Sequence, residues 1–204
     1  QAIGSLMTYG MNLILAAFGS AQTVFGIYFK LQSFVFMPVF GLNNGMVPII
    51  AYNYGAGHKD RVIKTIKHSV AYGVGIMFAG LLAMHIFPAQ LMRMFDAEES
   101  LIAIGAPALE TISLSFVFAG FCIVAGSVFQ ALGNGVYSMI VSVARQMCVL
   151  LPVAKLLSLS GEVTLIWWAF PIAELASVLL TSYFLVRIYR KVICHIGEPV
   201  VQDA

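Results

Sequence analysis

Charge is what this sequence has least of. Asp, Glu, Lys and Arg together make up 10% of its 204 residues, whereas a soluble domain carries about 25% of such residues. Apolar residues reach 60% and the mean hydropathy is +0.93. Because so few charges cannot cover a surface that faces water, a soluble globular protein is excluded. The predicted solvent is lipid.

Cysteines and catalytic motifs are scarce as well. The three cysteines, Cys122, Cys148 and Cys194, include no pair with the spacing of metal ligands, so we expect them to pack within helices. The sequence contains no phosphate-binding glycine loop, no HExxH and no GxSxG, and no carboxylates are paired at a catalytic spacing. We therefore expect neither an enzyme nor a metal or cofactor site.

What the sequence does have is long uncharged runs. About 20 apolar residues in a helix cross the roughly 30 Å core of a bilayer, and six stretches meet this requirement. We name them helices A to F, and they cover residues 3–18, 23–50, 69–94, 106–132, 137–157 and 164–189. The predicted fold class is an all-α membrane protein, a six-helix transmembrane bundle. The chain opens at Gln1, inside an apolar run, so we expect that more of the protein precedes it.

The charges outside these runs predict the orientation. One basic cluster lies between helices B and C and another follows helix F: Lys59, Arg61, Lys64 and Lys67, then Arg187, Arg190 and Lys191. Four spans separate the two clusters, so both lie on one side of the membrane. By the positive-inside rule, the B–C connection and the C-terminal tail are cytoplasmic. Four cations beside a membrane turn are typical of topology signals, and we expect no nucleic-acid partner.

Two charged residues lie deep within predicted spans. Arg145 is about nine residues into helix E and Glu174 about ten residues into helix F, which places each roughly 13–15 Å from a helix end. Helices joined by a short loop are antiparallel neighbours, so we expect these two residues to face each other or to share a polar cavity. An ionisable residue inside a membrane is a candidate for function, but a purely structural ion pair between helices E and F is an equal alternative.

The other polar residues within or near the spans are weaker candidates for a substrate or ion pathway: Lys30, Asn44, Glu110 and Gln130. Lys30 and Glu110 lie close enough to span ends to reach the headgroup region. Pro38, Gly41 and Pro171 are hinge candidates, because proline removes a backbone hydrogen bond and glycine loosens a helix. On helix F, small, aromatic and polar residues recur at three- and four-residue steps and predict one shared face: Trp167, Pro171, Glu174, Ser177 and Thr181.

Five short segments resemble one family in order along the chain. They are Phe36–Leu42 (FMPVFGL), Asn53–Gly57 (NYGAG), Phe129–Gly133 (FQALG), Ala144–Gln146 (ARQ) with Pro152, and Trp168–Glu174 (WAFPIAE). Together they resemble the C-terminal lobe of the multidrug and toxic compound extrusion (MATE) family. The resemblance implies one lobe, helices seven to twelve, of a twelve-helix antiporter whose N-terminal lobe is not in this sequence.

The same resemblance implies a function. Such proteins expel organic cations or drugs across the lipid bilayer in exchange for H⁺ or Na⁺. The sodium-coupled members carry acidic residues in the seventh and tenth helices, whereas helix A here has none and helix D has only Glu110. Coupling could instead use Glu174 or a carboxylate of the N-terminal lobe. The alternatives are a lipid-linked oligosaccharide flippase of the same superfamily and a membrane scaffold without transport activity.

Overall fold

Helices make up nearly all of the computed structural model, which describes residues 2–197 and shows no strand in that range. The α-helices are α1 (Ala2–Leu15), α2 (Ala21–Gly55), α3 (Lys59–Ile86), α4 (Pro88–Arg93), α5 (Glu99–Ser113), α6 (Phe116–Ala131), α7 (Gly135–Val143), α8 (Leu151–Ser158), α9 (Val163–Ile166) and α10 (Ala169–Lys191). A 3₁₀ turn extends α1 over Ala16–Phe18, a π-helical segment (Ala144–Leu150) joins α7 to α8, and Ile193–His195 forms a second 3₁₀ turn.

Membrane-spanning length is reached by four continuous helical stretches in residues 2–197: Ala21–Gly55, Lys59–Ile86, Gly135–Ser158 and Val163–His195. The pair α5 and α6, bent by 48°, adds a fifth if it forms one span. Predicted helix A corresponds to the apolar stretch Ala2–Phe18, which is shorter than a full crossing. The all-helical class is confirmed with four or five apolar spans, and the count of six stays a prediction.

Helix boundaries differ from the predicted ones on either side of the B–C turn. Helix α2 runs without a break through both Pro38 and Pro48, so the predicted interruption after Pro38 is not a break in the helix. Helix α3 begins at Lys59 rather than at residue 69, shortly after Gly57, which takes a positive φ of 73°. The basic stretch is therefore helical. At its other end α3 stops at Ile86, before Pro88, because the residue preceding a proline disfavours helical geometry.

The bend between α5 and α6 lies inside predicted helix D, which begins at Glu99 rather than at residue 106. Two serine hydroxyls next to the bend donate to backbone carbonyls three residues earlier, Ser113 to Glu110 at 2.9 Å and Ser115 to Ile112 at 2.6 Å. Such bonds compete with the helical backbone pattern and bend helices. The serines thus account for a bend that contains no proline.

The two basic regions lie at one end of the bundle. The ammonium of Lys59, at the start of α3, donates to the backbone carbonyl of Cys194 at 2.8 Å, and Gly57 packs against Gly197. This contact brings the B–C turn and the end of helix F together. The rest of the tail, residues 198–204, lies outside the described residues, as does Gln1.

Candidate functional site

The charged pair predicted from sequence is present. Arg145 Nη1 donates to Glu174 Oε1 at 2.7 Å, and the two side chains are 23% and 11% exposed. Arg145 lies in the π-helical segment and Glu174 in α10. The two residues therefore face each other, as expected from their matched depth. A second ion pair joins Arg93 to Glu99 at 3.0 Å on the surface.

The backbone departs from regular α-helix at Arg145 and ahead of the helix that carries Glu174. The N–H of Leu151 bonds to the carbonyl of Gln146, five residues back, as in a π-helix. The next residue, Pro152, supplies no N–H to the helix, which weakens the regular pattern at this point. A break at Trp167–Trp168 precedes α10. Pro171 has no N–H to offer the Trp167 carbonyl, which accepts from the Phe170 N–H at 3.3 Å instead. A proline therefore lies close to each irregular turn, and Glu174 follows Pro171 within regular helix.

The first of two cavities at this pair we name the aromatic chamber. Its volume is about 70 Å³. It is lined by Met7, Phe25, Tyr28, Phe29, Gln32, Phe36, Ser115, Ala119, Arg145, Gln146, Leu150, Phe170, Ala173 and Glu174. A carboxamide oxygen, Gln146 Oε1, and a carboxylate oxygen, Glu174 Oε2, are buried in this wall without a hydrogen-bond partner.

The second cavity, the polar chamber, is larger, at about 610 Å³. It is lined by Phe40, Asn43, Asn44, Cys122, Ile123, Gly126, Ser127, Phe129, Gln130, Ser138, Val141, Ser142, Arg145, Ser177 and Thr181. Asn43 Oδ1 is buried there without a partner, and the buried Thr181 hydroxyl lies beside the Cys122 thiol. Arg145 lines both chambers, so its side chain lies at the boundary between them.

Of the other predicted pathway residues, the structure brings two to this site and leaves two away from it. Asn44 and Gln130 line the polar chamber with Arg145, and Gln130 donates to Ser138 Oγ at 3.1 Å. Lys30 places its ammonium 5.7 Å from the Phe95 ring centre, and Glu110 is half-buried on α5. Neither lines either chamber.

The face predicted on helix F is buried throughout. Glu174, Ser177 and Thr181 are 8%, 2% and 0% exposed, and Ser177 Oγ donates to Cys122 Sγ at 3.4 Å, linking α10 to α6. Sequence reasoning did not single out Gln146 or Tyr28. Gln146 had a signal, since an amide side chain beside Arg145 inside a span is unusual. Tyr28 had none, because an aromatic residue in an apolar run is ordinary.

Long apolar helices that enclose a charged pair and two cavities define a polytopic helical membrane protein with a polar interior. The MatE family model matches residues 1–156, more than half of the chain. The chain therefore belongs to the MatE family.

Relatives with curated names are multidrug exporters. The multidrug export protein MepA of Staphylococcus haemolyticus (strain JCSC1435) is 27% identical over 183 residues, which cover 89% of this chain and 40% of that protein. MepA of Staphylococcus aureus (strain N315) is 28% identical over 166 residues, 80% of this chain and 36% of that protein. This chain thus spans about two fifths of the length of the relatives it matches.

Solved structures show the same fold. The MATE multidrug transporter DinF-BH, solved in complex with a ligand, is 33% identical with a TM-score of 0.80, covering 95% of this chain and 43% of that one. The Vibrio cholerae transporter VcmN in its bent form gives a TM-score of 0.85 at 18% identity, over 97% and 44% of the two chains. The fold is that of one lobe of a MATE transporter.

Proposed function

We propose that this chain is the C-terminal six-helix lobe of a secondary antiporter that exports cationic or amphipathic compounds in exchange for H⁺ or Na⁺. The observation that carries the proposal is the Arg145–Glu174 pair, held at 2.7 Å between two chambers inside an apolar bundle. A charge pair in a membrane interior is costly, and a transport pathway is one reason for a protein to keep it.

The relatives support the substrate class. The multidrug export protein MepA and the multidrug transporter DinF-BH match most of this chain, and DinF-BH has been solved in complex with a ligand. By extension, we propose drugs and organic cations as substrates here. Because the relatives are more than twice as long, the second lobe of the transporter is the expected partner. We expect the six helices alone to transport nothing, since half of the pathway wall would be absent.

The proposed setting is the cell membrane, crossed several times. The B–C turn and the end of helix F are proposed to be cytoplasmic. Support comes from the positive-inside rule and from the Lys59–Cys194 hydrogen bond, which joins the two basic regions. Cysteine labelling from outside intact cells tests this: a cysteine introduced at Lys64 should stay unlabelled, and one at Glu98 should react.

The coupling carboxylate is proposed to be Glu174. It lines the aromatic chamber, and only one of its two oxygens is engaged by Arg145. Glu110 is the second carboxylate within the predicted spans, but it lies away from both chambers. Exchange at Glu174 would let a proton or a cation compete with Arg145 for the same group.

A flippase for diphosphate-linked lipids would need several free cations in its cavity. Arg145 is already paired with Glu174, and Lys30 lies over Phe95 instead. These contacts favour the antiporter over the flippase. A scaffold without transport would have no use for unpaired polar atoms such as Asn43 Oδ1 at an internal cavity.

Efflux of ethidium from cells or vesicles that contain the proposed transporter tests the function, with the pH and Na⁺ gradients varied separately. We expect efflux to collapse when one of the two gradients is removed and to persist without the other. Efflux that depends on neither gradient would contradict an antiporter. Absence of efflux for ethidium and for a fluoroquinolone would contradict the substrate class.

A further inference from the structure

Two acceptor oxygens in the aromatic chamber have no donor. Arg145 engages Oε1 of Glu174 and leaves Oε2 buried and unpaired, on a residue that is 8% exposed. Gln146 Oε1, from the π-helical segment, is also buried and unpaired and lines the same chamber. Leaving buried acceptors without donors is costly. The chamber therefore suits a ligand that brings N–H groups.

Three aromatic rings also line the chamber. The ring centres of Tyr28 and Phe170 are 5.7 Å apart, and the Phe25 centre is 6.2 Å from each of them. The faces of aromatic rings attract cations, most strongly where water is excluded. All three residues are at least nine-tenths buried. Rings together with a carboxylate are the surroundings that an alkylammonium group prefers.

The size of the chamber limits the ligand. Its volume is about 70 Å³, whereas a cavity needs about 10–15 Å³ to hold one water molecule. The space is therefore several times that of one water molecule, which suits the ammonium end of a ligand. Phe29, which also lines the chamber, is 42% exposed and lies where the rest of a ligand could extend out of the bundle.

A cation already lies at the boundary between this chamber and the polar chamber. The guanidinium of Arg145 lies 2.7 Å from Glu174 Oε1, so it would repel an ammonium group bound at Oε2 of the same carboxylate. Arg145 also lines the polar chamber, where Asn43 Oδ1 is buried without a partner and Thr181 Oγ1 is a buried oxygen that can accept. Acceptors are thus available on the far side for a guanidinium that leaves Glu174.

We propose that the aromatic chamber binds the ammonium group of an organic cation, and that Arg145 is a resident cation which the ligand displaces from Glu174 towards the polar chamber. This inference rests on the proposed function only for the class of substrate. In the unliganded state, Arg145 neutralises Glu174. In the bound state, the ligand contacts the carboxylate, Gln146 and the aromatic rings, and Arg145 donates to the buried oxygens of Asn43 on α2 and Thr181 on α10.

Substitutions of the two partners of the ion pair should then change the affinity for ethylammonium in opposite directions. Binding of ethylammonium to the purified proposed transporter is measured by calorimetry at mildly alkaline pH, because protons compete for the carboxylate. Arg145→Met removes the resident cation and should tighten binding about tenfold. Glu174→Gln should abolish binding. Arg93→Met and Glu99→Gln, which alter the exposed ion pair, are the matched controls and should leave affinity unchanged.

A purely structural ion pair predicts no gain in affinity from Arg145→Met. If Arg145→Met binds ethylammonium no better than the unmodified protein, or if both partners lose binding alike, the proposal is overturned. If Arg145→Met binds Na⁺ as tightly as it binds ethylammonium, the assignment of an alkylammonium site is overturned. A gain in affinity cannot arise from misfolding, and the comparison with Na⁺ separates an alkylammonium site from a bare carboxylate that attracts any cation.

A second variant serves if Arg145→Met does not fold. Gln146→Leu leaves the ion pair in place, and it should weaken ethylammonium binding by the otherwise unmodified protein. An unchanged affinity would contradict the assignment of the chamber. Ethidium efflux is measured on the same samples. If efflux depends on a gradient but the variants show none of these binding changes, only the ammonium site in the aromatic chamber is rejected. If efflux is absent, the proposed function is rejected, and the binding measurements alone decide whether the chamber binds ammonium.

Discussion

The two halves of the bundle are built differently. Where α3 crosses α6, glycines bring the backbones together: a Cβ at Gly120 would lie 3.0 Å from the Gly73 carbonyl oxygen and 2.8 Å from Met77 Cγ. Where the π-helical segment meets α10, a charged pair and two chambers occupy the interface instead. We call these the dense half and the polar half.

The contrast separates packing from function. Lipid provides no hydrophobic force between helices, so membrane helices associate through close packing of small residues. The dense half follows this pattern without using a charge. The polar half keeps Arg145, Glu174 and unpaired acceptors such as Asn43 Oδ1, all of which destabilise a helix bundle within a membrane. Such a cost is expected where a site binds something.

The largest effect on stability should come from breaking the charged pair. Arg145→Met leaves Glu174 buried without its partner and should lower the free energy of unfolding in detergent by about 3 kcal/mol. The double variant Arg145→Met/Glu174→Leu removes both charges and should recover most of that loss. If the double variant is as unstable as the sum of the single variants, the two charges are not energetically coupled.

The second effect belongs to the dense half. Gly120→Ala places a methyl group against the Gly73 carbonyl, which belongs to backbone and cannot move aside, and should cost about 2 kcal/mol. Gly41→Ala is the matched control on α2, because nothing lies within 4 Å of a Cβ there. It should stabilise the helix by up to about 1 kcal/mol. Thermal unfolding of both variants checks the opposite signs.

Gly41→Ala also tests the hinge prediction. If helix α2 bends at Gly41 during transport, the variant should fold at least as well as the unmodified protein yet export ethidium more slowly. Unchanged export would remove Gly41 from the hinge candidates and leave Pro38 and Pro171 to be tested in the same way.

A smaller effect is expected in the polar chamber. Thr181→Val keeps the shape of the side chain and removes a buried hydroxyl whose one neighbouring polar group is the weakly bonding Cys122 thiol, so stability should change by less than about 1 kcal/mol. Ser177→Ala, one turn away, loses the hydrogen bond to Cys122 and should be slightly destabilising. A destabilised Thr181→Val would show that this hydroxyl is not idle in the folded protein.

The smallest effect should come from the surface pair. Arg93 and Glu99 also lie 3.0 Å apart, but their side chains are 58% and 80% exposed. Exposed pairs contribute little, so Arg93→Met should change the free energy of unfolding by less than about 0.5 kcal/mol. A loss as large as that of Arg145→Met would mean that burial does not explain the difference between the two pairs.

The sequence was sufficient to predict the helical class and the Arg145–Glu174 contact. Both follow from simple quantities: the length of apolar runs, and the depth of two charges counted from one short loop. It was not sufficient for the π-helical turn at Ala144–Leu150, the serine-dependent bend at Leu114, or the chambers. These features depend on how several helices pack together, and the residue pattern of a single helix does not predict that packing.

Export by the charge-free double variant tests the central claim most directly. Arg145→Met/Glu174→Leu is reconstituted in the proposed transporter, shown to unfold at a temperature close to that of the unmodified protein, and assayed for gradient-driven ethidium efflux. If the polar half serves transport, the variant is folded and exports nothing. Efflux at the rate of the unmodified protein would show that the pair only holds the π-helical segment to α10.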